Sequence, residues 1–498
     1  MAKKRISALL ALVLCSMLLL PACQGGDSGD KDSVTFVIGN DIMSLDPGQT
    51  SSDTDSIMYA TCLYEGLTKL NSDGTVEPLL AESWDISDDG LAYTFHLKQG
   101  VKFHNGEEMK ASDVVFSYNY AKESPFTASF GALFDAVEAV DDYTVKVTLA
   151  APFAPFLSNA AASMIHSEKA VAEAGDDYGL NPVGTGPFLF KSYELGQKVT
   201  FERFDDYHGG PAALKTVVYK IVSDSNTALV SLESGTVDYV FIVPEISYQS
   251  LLENDELQVI EFDSRELTHL TMNLSTEPFN DVRVRQAVNY ALDKEAIVKI
   301  ALEGLGTPAT YVLNDKYFGY SDKVTGYDYD PEKAVALLEE AGYPDGLNLT
   351  LTTCDRYSKT AQVVQEQLGQ VGINLEMEQT DQNAMMEAVA AGDYTISLFM
   401  WSLDSDADSW RYMFKTGDIV NYAPYSNPEV DELFVQAQQT TDSDARVEIY
   451  NQLFQIISDD AVMAPIFHAK VISACAAGLD IGEFNVFGYP LPHSMSWN

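Results

Sequence analysis

The chain has 498 residues, 46% hydrophobic and 21% charged, enough for two or three globular domains with cores of their own. Acidic residues number 74 against 30 Lys and Arg, a formal charge of −44. This excludes a nucleic-acid partner, whose phosphates need Lys and Arg, and attachment to an anionic membrane through a basic patch. Acidity on this scale serves solubility as readily as it favours cationic ligands.

The N-terminus reads as an address. Lys3, Lys4 and Arg5 precede an apolar run over 6–20, of signal-sequence length and short for a membrane span. Leu20-Pro21-Ala22-Cys23 resembles the bacterial lipobox, with Pro21 an uncommon residue at its position. Cleavage before Cys23 would leave a lipidated cysteine, and acyl chains would hold the body at the membrane surface. Plain secretion or an uncleaved anchor is the alternative. The Gly, Ser and Asp rich stretch 24–33 reads as a flexible tether. No later stretch reaches transmembrane length. Three cysteines follow the tether, Cys62, Cys354 and Cys475, without a CxxC. They form neither a disulfide framework nor a zinc site and leave room for at most one bridge. Cys62 lies in an apolar run and is expected in the core.

In chain order, 34–38 is an opening strand and 56–67 a helix ended by Gly66. Short strands alternate with glycine turns at 84–86 and 92–97. Residues 111–121 form a helix, with Ser112 or Asp113 as cap. A strand over 143–150 precedes a small-residue helix over 154–167. The Gly/Pro run 181–187 marks a boundary. Strands follow at 188–190, 198–203 and 217–222, then a helix over 226–234 with Gly235 past its end. After a strand-like 270–273 comes one long helix over 283–300, then a helix over 331–341 ended by Gly342.

The unit that follows is the most regular. Strand 349–353, helix 360–371 closed by Gly372, strand 373–379, helix 384–391 and strand 394–400 make a βαβαβ unit, whose parallel crossovers are right-handed. Helices over 428–439 and 445–458 and a strand-like 464–467 complete the chain. Ligands of open α/β sheets bind beyond the carboxyl ends of strands. There the first strand delivers Arg356, and the third delivers Trp401, Ser402, Leu403 and Asp404. A cation and an anion on one rim suit a zwitterion such as a peptide. The alternative is that both are solvated loop charges. Asn421, Tyr422 and Tyr425 are candidate lining residues or plain surface groups.

Five blocks carry a likeness. Residues 77–117 (EPLLAESWDISDDGLAYTFHLKQGVKFHNGEEMKASDVVFS), 181–210 (NPVGTGPFLFKSYELGQKVTFERFDDYHGG), 282–297 (VRVRQAVNYALDKEAI) with 304–309, 329–346 and 425–433 resemble, in order, the peptide/nickel family of extracellular solute-binding proteins of ABC importers. The resemblance implies an α/β, two-lobed receptor of the type II periplasmic-binding-protein kind with an additional inserted α/β domain. Lobe I would comprise 34–65, 184–270 and 484–498, the inserted domain 66–183, and lobe II 271–483. It also implies a hinge closing the lobes on the ligand, a peptide cargo, an ABC permease as partner, no enzyme activity, no cofactor and a monomer. In peptide-binding members an Asp after a Trp-x-x spacing anchors the peptide's α-amino group, a role that passes to Asp404. Arg356 lies where a carboxylate partner is expected, without a matching motif. The family's Tyr-Pro-Asp-Pro after the anchor is replaced by Ser405-Asp406-Ala407-Asp408. Glu65 and Asp46 would lie on the opposing lobe, at the crevice or in turns.

The chain has no phosphate loop, HExxH, GxSxG or dinucleotide fingerprint. Its seven histidines are scattered, so no metal site is expected. The same receptor fold carrying an oligosaccharide, opine or metal chelate is the alternative cargo reading. An extracellular hydrolase is the alternative from another class.

Overall fold

A computed structural model describes residues 31–50, 54–71, 74–418, 420–485 and 488–498. The signal-like segment, Cys23 and most of the tether lie outside the described residues. One sheet of eleven strands runs through the molecule. Its order is Ile373–Thr380, Leu347–Cys354, Ile396–Trp401, Leu257–Met272, Met463–Ala476, Tyr239–Val240, Ser33–Ile38, Thr216–Ile221, Lys198–Arg203 and Phe188–Glu194, with Gly306–Pro308 beside Met463–Ala476. A separate four-stranded antiparallel sheet, from Ala81–Ile86, Ala92–Leu97, Thr144–Leu149 and Phe134–Asp141, belongs to the inserted segment.

Two long antiparallel strands join the halves of the large sheet. Leu257–Met272 pairs with Met463–Ala476 from Leu257↔Ala476 to Thr271↔Met463, and the register breaks between Asp263 and Leu267. A bulge bends its strand and re-aims the side chains on it. On one side of the break, Ile472 and Ala474 pack with Ala228, Leu229 and Leu232, and Cys475 and Leu479 with Phe36 and Tyr219. On the other, Leu270, Ala464 and Ile466 pack with Leu351, Ile396 and Leu398. The two strands thus contribute to both halves of the sheet, their ends packing into different cores. A strand that crosses between lobes shows no composition change where it crosses. The inserted segment has its own core, including Tyr93, Phe95, Tyr118, Val147 and Phe156.

Several expected elements differ. The early helix is Thr54–Leu63 and stops short of Gly66. Gly66 is instead a close approach: a Cβ there would stand 2.5 Å from the Ala160 carbonyl oxygen. The helix Ala111–Glu123 has Lys110 as N-cap, and Asp113 accepts the Lys110 backbone N–H at 2.9 Å, a capping arrangement with the acid three residues in. The long helix over 283–300 is two helices, Val282–Tyr290 and Lys294–Ala301. Asp293 divides them by accepting the Ala296 N–H at 2.9 Å, and local side-chain bonds of this kind compete with helix continuation. The stretch over 154–167 holds only the short helix Phe156–Ala162. The strand-like fragments 270–273 and 464–467 are the ends of the two crossing strands. Cys62, Cys354 and Cys475 are free and buried, and Cys62 sits in the first lobe's core with its thiol pushed up to about 12 by burial.

Candidate ligand-binding rim of the second lobe

The strand Leu347–Cys354 runs parallel to Ile396–Trp401, with Leu351↔Ile396 and Thr352↔Ser397 in register. Their carboxyl ends therefore open on one edge, and Asp355-Arg356 and Ser402-Leu403-Asp404 leave from it side by side. The crossing strand Leu257–Met272 is antiparallel to Ile396–Trp401, and their last pair is Leu267↔Trp401. Its bulge residues Arg265 and Glu266 thus arrive at the same edge.

Asp404 is exposed and its carboxylate makes no hydrogen bond among the described residues. Neighbouring protein still takes part of the water from its carboxylate. Burial raises its pKa, the Arg265 cation opposes that rise, and Asp406 adds to it. Arg265 is itself buried, 5% exposed. Its Nε donates to the Leu403 carbonyl at 3.3 Å, and its guanidinium lies 5.8 Å from the Tyr317 ring centroid. Burial pulls its pKa down, against the fields of Tyr317, Asp404 and Tyr489.

Below Asp404 the chain is pinned. Phe318 bridges the loop, its N–H donating to the Ser405 carbonyl at 2.7 Å and its carbonyl accepting the Ala407 N–H at 3.0 Å. Asp406 is buried and accepts from the Arg446 guanidinium, from the Tyr450 hydroxyl at 3.1 Å and from the Asp408 N–H at 3.0 Å. The Arg446 guanidinium also stacks 4.0 Å from the Phe318 ring centroid. Asp408 is buried, with one oxygen held by Gln438 at 3.1 Å and the other unbonded. Burial and the neighbouring Asp406 push its pKa up to about 6. Three carboxylates within five residues thus have three environments, and only Asp404 faces outward. A carboxylate fixed on a rigid loop meets a ligand cation without first paying to order itself.

Trp401 is half-buried. Its ring meets Tyr422 edge-on at 6.2 Å and Phe399 at 6.3 Å, and its indole N–H is unbonded. Ser402 is exposed beside it. Arg356 is exposed, near enough to the half-buried Glu266 that its field opposes the rise in pKa that burial gives Glu266. The structure thus gathers Trp401, Ser402, Asp404, Tyr422 and Arg356 on or next to one edge.

The other candidates are engaged elsewhere. Asn421 staples its own loop, donating to the Lys415 and Tyr425 carbonyls at 3.0 and 2.7 Å and accepting the Tyr425 N–H at 3.0 Å. Tyr425 is buried in the core beneath, and its hydroxyl donates to Asp460 at 2.5 Å. Glu65 is 7% exposed and accepts from Thr185 at 2.9 Å, Tyr207 at 2.8 Å and the His208 ring at 3.0 Å. Asp46 is fully buried and caps a turn, accepting the Gly48 N–H at 2.8 Å and the Tyr120 hydroxyl at 2.6 Å. Sequence reasoning passed over Arg265 and Glu266. Their signal was a charged Asp-Ser-Arg-Glu run inside a strand otherwise rich in β-formers. Among the described residues no cluster of three or more His, Cys, Asp or Glu could hold a metal ion. A small cavity of about 20 Å³ between Tyr311, Tyr327 and Phe454, room for about one water, is lined by none of the rim residues.

The description "Bacterial extracellular solute-binding proteins, family 5 Middle" matches residues 75–422. The glutathione-binding protein GsiB of Pectobacterium atrosepticum is 34% identical over 464 residues, 89% of this chain and 90% of that protein. Among solved structures, HbpA2 from Haemophilus parasuis superposes with a TM-score of 0.86 at 27% identity, covering 94% of this chain and all of that one. DppA from Helicobacter pylori in complex with the peptide STSA gives 0.74 at 27% identity, covering 94% and 98%. This chain belongs to family 5 of the bacterial extracellular solute-binding proteins, which are receptors of ABC importers and not enzymes.

Proposed function

We propose that this receptor captures short peptides with a free amino terminus and delivers them to an ABC permease. Asp404 receives the ligand's ammonium, Trp401 and Tyr422 supply an apolar wall beside it, and Arg356 meets the carboxylate. The observation that carries the reading is Asp404 itself, an exposed carboxylate at the rim without a hydrogen-bond partner among the described residues, held on a pinned loop. The peptide in the DppA structure and the glutathione of the GsiB relatives support the same class, since both ligands carry a free α-amino group. Closure would turn about the two crossing strands, with residues 66–183 riding on lobe I. The receptor acts as a monomer, anchored through lipid on Cys23 at the outer face of the cytoplasmic membrane or in the periplasm. Among the described residues no helix is long and apolar enough to cross a membrane.

Calorimetry on di- to pentapeptides and glutathione, each free and N-acetylated, tests the cargo. Free peptides bind and their acetylated forms do not. Binding of neither form, with binding of oligosaccharides or opines instead, would overturn the peptide reading. The anchor is tested separately, by metabolic labelling with a palmitate analogue of the full chain and of Cys23→Ala. Label retained by the variant would refute lipidation at that cysteine.

A further inference from the structure

The rim holds more charge than one zwitterion uses. Asp404 feels the field of Arg265 and Glu266 that of Arg356, and neither forms an ion pair inside 4.0 Å among the described residues. Arg265 is buried and tied to the Leu403 carbonyl, so it belongs to the frame of the loop. That leaves Asp404 for a ligand ammonium, Arg356 for a ligand carboxylate, and Glu266 with no counterpart on a simple peptide.

Glu266 is placed by the register break between Asp263 and Leu267. Its N–H donates to the Ser264 hydroxyl at 3.1 Å, which fixes its backbone, and it stands one step past the Leu267↔Trp401 pair, next to exposed Ser402. Its carboxylate accepts no hydrogen bond among the described residues and is already half-buried. Closing a lobe over it would take away more of its water. A carboxylate that loses water without gaining a donor is strongly penalised. Arg356 cannot supply that donor while it also serves the ligand's carboxylate.

We infer that Glu266 is a specificity-determining residue that selects peptides carrying a second cationic group, a lysine-type ammonium or a guanidinium, close to the amino end held by Asp404. The inference rests on the peptide reading above and narrows it. A ligand with a second carboxylate in that place would meet Glu266 as a like charge. The tripeptide glutathione has one ammonium and two carboxylates, so it binds more weakly than a lysine tripeptide.

The test uses the full receptor and tripeptides with either lysine or Nε-acetyl-lysine at position one, two or three, all with free termini, measured by calorimetry. At one of the three positions lysine binds about tenfold or more tighter than acetyl-lysine, the size of one charge-assisted hydrogen bond. Glu266→Gln abolishes that difference, and an unchanged urea midpoint shows that the variant is folded. Equal wild-type affinity for the two series overturns the inference and leaves the peptide reading standing. So does a lysine preference that survives in Glu266→Gln. An equal loss for both series would make Glu266 a holder of Arg356 and overturn selection. If no peptide binds in either series, the peptide reading itself fails and this inference with it.

Discussion

Glu65 in the first lobe and Asp404 in the second are both acidic residues that the sequence sets near the crevice, Glu65 with a role in a turn as the alternative. Glu65 ends inside a closed set of donors from Thr185, Tyr207 and His208. Those partners come from the 181–210 block. There Gly184 lies so close to the early helix that a Cβ would stand 2.0 Å from the Leu63 carbonyl oxygen. Asp404 ends with no donor among the described residues, while Asp406 and Asp408 beside it hold the loop. A buried carboxylate that has found its donors inside the protein is a structural part. One left facing a crevice without a donor is available to a ligand. Exposure separates the two, Glu65 at 7% and Asp404 open to solvent, and the census of partners gives the reason.

The comparison breaks first at Asp404. Asp404→Ala should weaken peptide binding by about 3–5 kcal/mol, or 10²- to 10³-fold and more, because the ligand's ammonium would be enclosed without an anion. Resistance to urea should be unchanged. Isothermal titration read with urea melts checks both halves, and an unchanged affinity would remove Asp404 from the site. Asp406→Ala should do the reverse in kind. It strands Arg446 in the interior and should cost about 3–5 kcal/mol of folding stability, read from the urea midpoint.

Glu65→Gln should fall below these. The amide turns one acceptor into a donor facing donors, at a cost of about 1–3 kcal/mol of stability, while peptide affinity stays within about twofold. A large affinity loss with little destabilisation would move Glu65 into the site and cancel its contrast with Asp404.

Asp408 gives the smallest effect and a pH signature. Its folded pKa is raised to about 6, so the folded state holds the proton more tightly than the unfolded chain does. Its charged form therefore costs stability above about pH 6, and the cost disappears as pH falls below the ordinary Asp value near 4. Asp408→Asn should accordingly raise the melting temperature at pH 8 by a few degrees and leave it unchanged at pH 4. Calorimetric scans across that range check it. A stabilisation that grows toward low pH would contradict the sign.

The periodicity of 349–400 and its closing glycines were enough to place Trp401 and Asp404 past one strand and Arg356 past another. A parallel crossover leaves no freedom about which edge they share. Tyr425 and Asn421 were misleading because a tyrosine and an asparagine in a polar loop look alike whether they face solvent or staple the chain. Arg265 and Glu266 were overlooked for a different reason. Strands of 14 and 16 residues that pass from one lobe to the other appear in sequence as short apolar fragments interrupted by charge, and the interruption is the bulge at the rim.

The sequence by itself determined the alternation of strands and helices, the family, and the loop that carries the outward-facing aspartate, since these depend on local period and on residues close in the chain. Only the tertiary structure decided which of the acids is left without a donor among the described residues. Hydrogen-bond donors such as Arg446, Tyr450, Tyr207 and His208 come from 40 to 143 residues away, and whether a carboxylate is satisfied depends on who arrives beside it after folding.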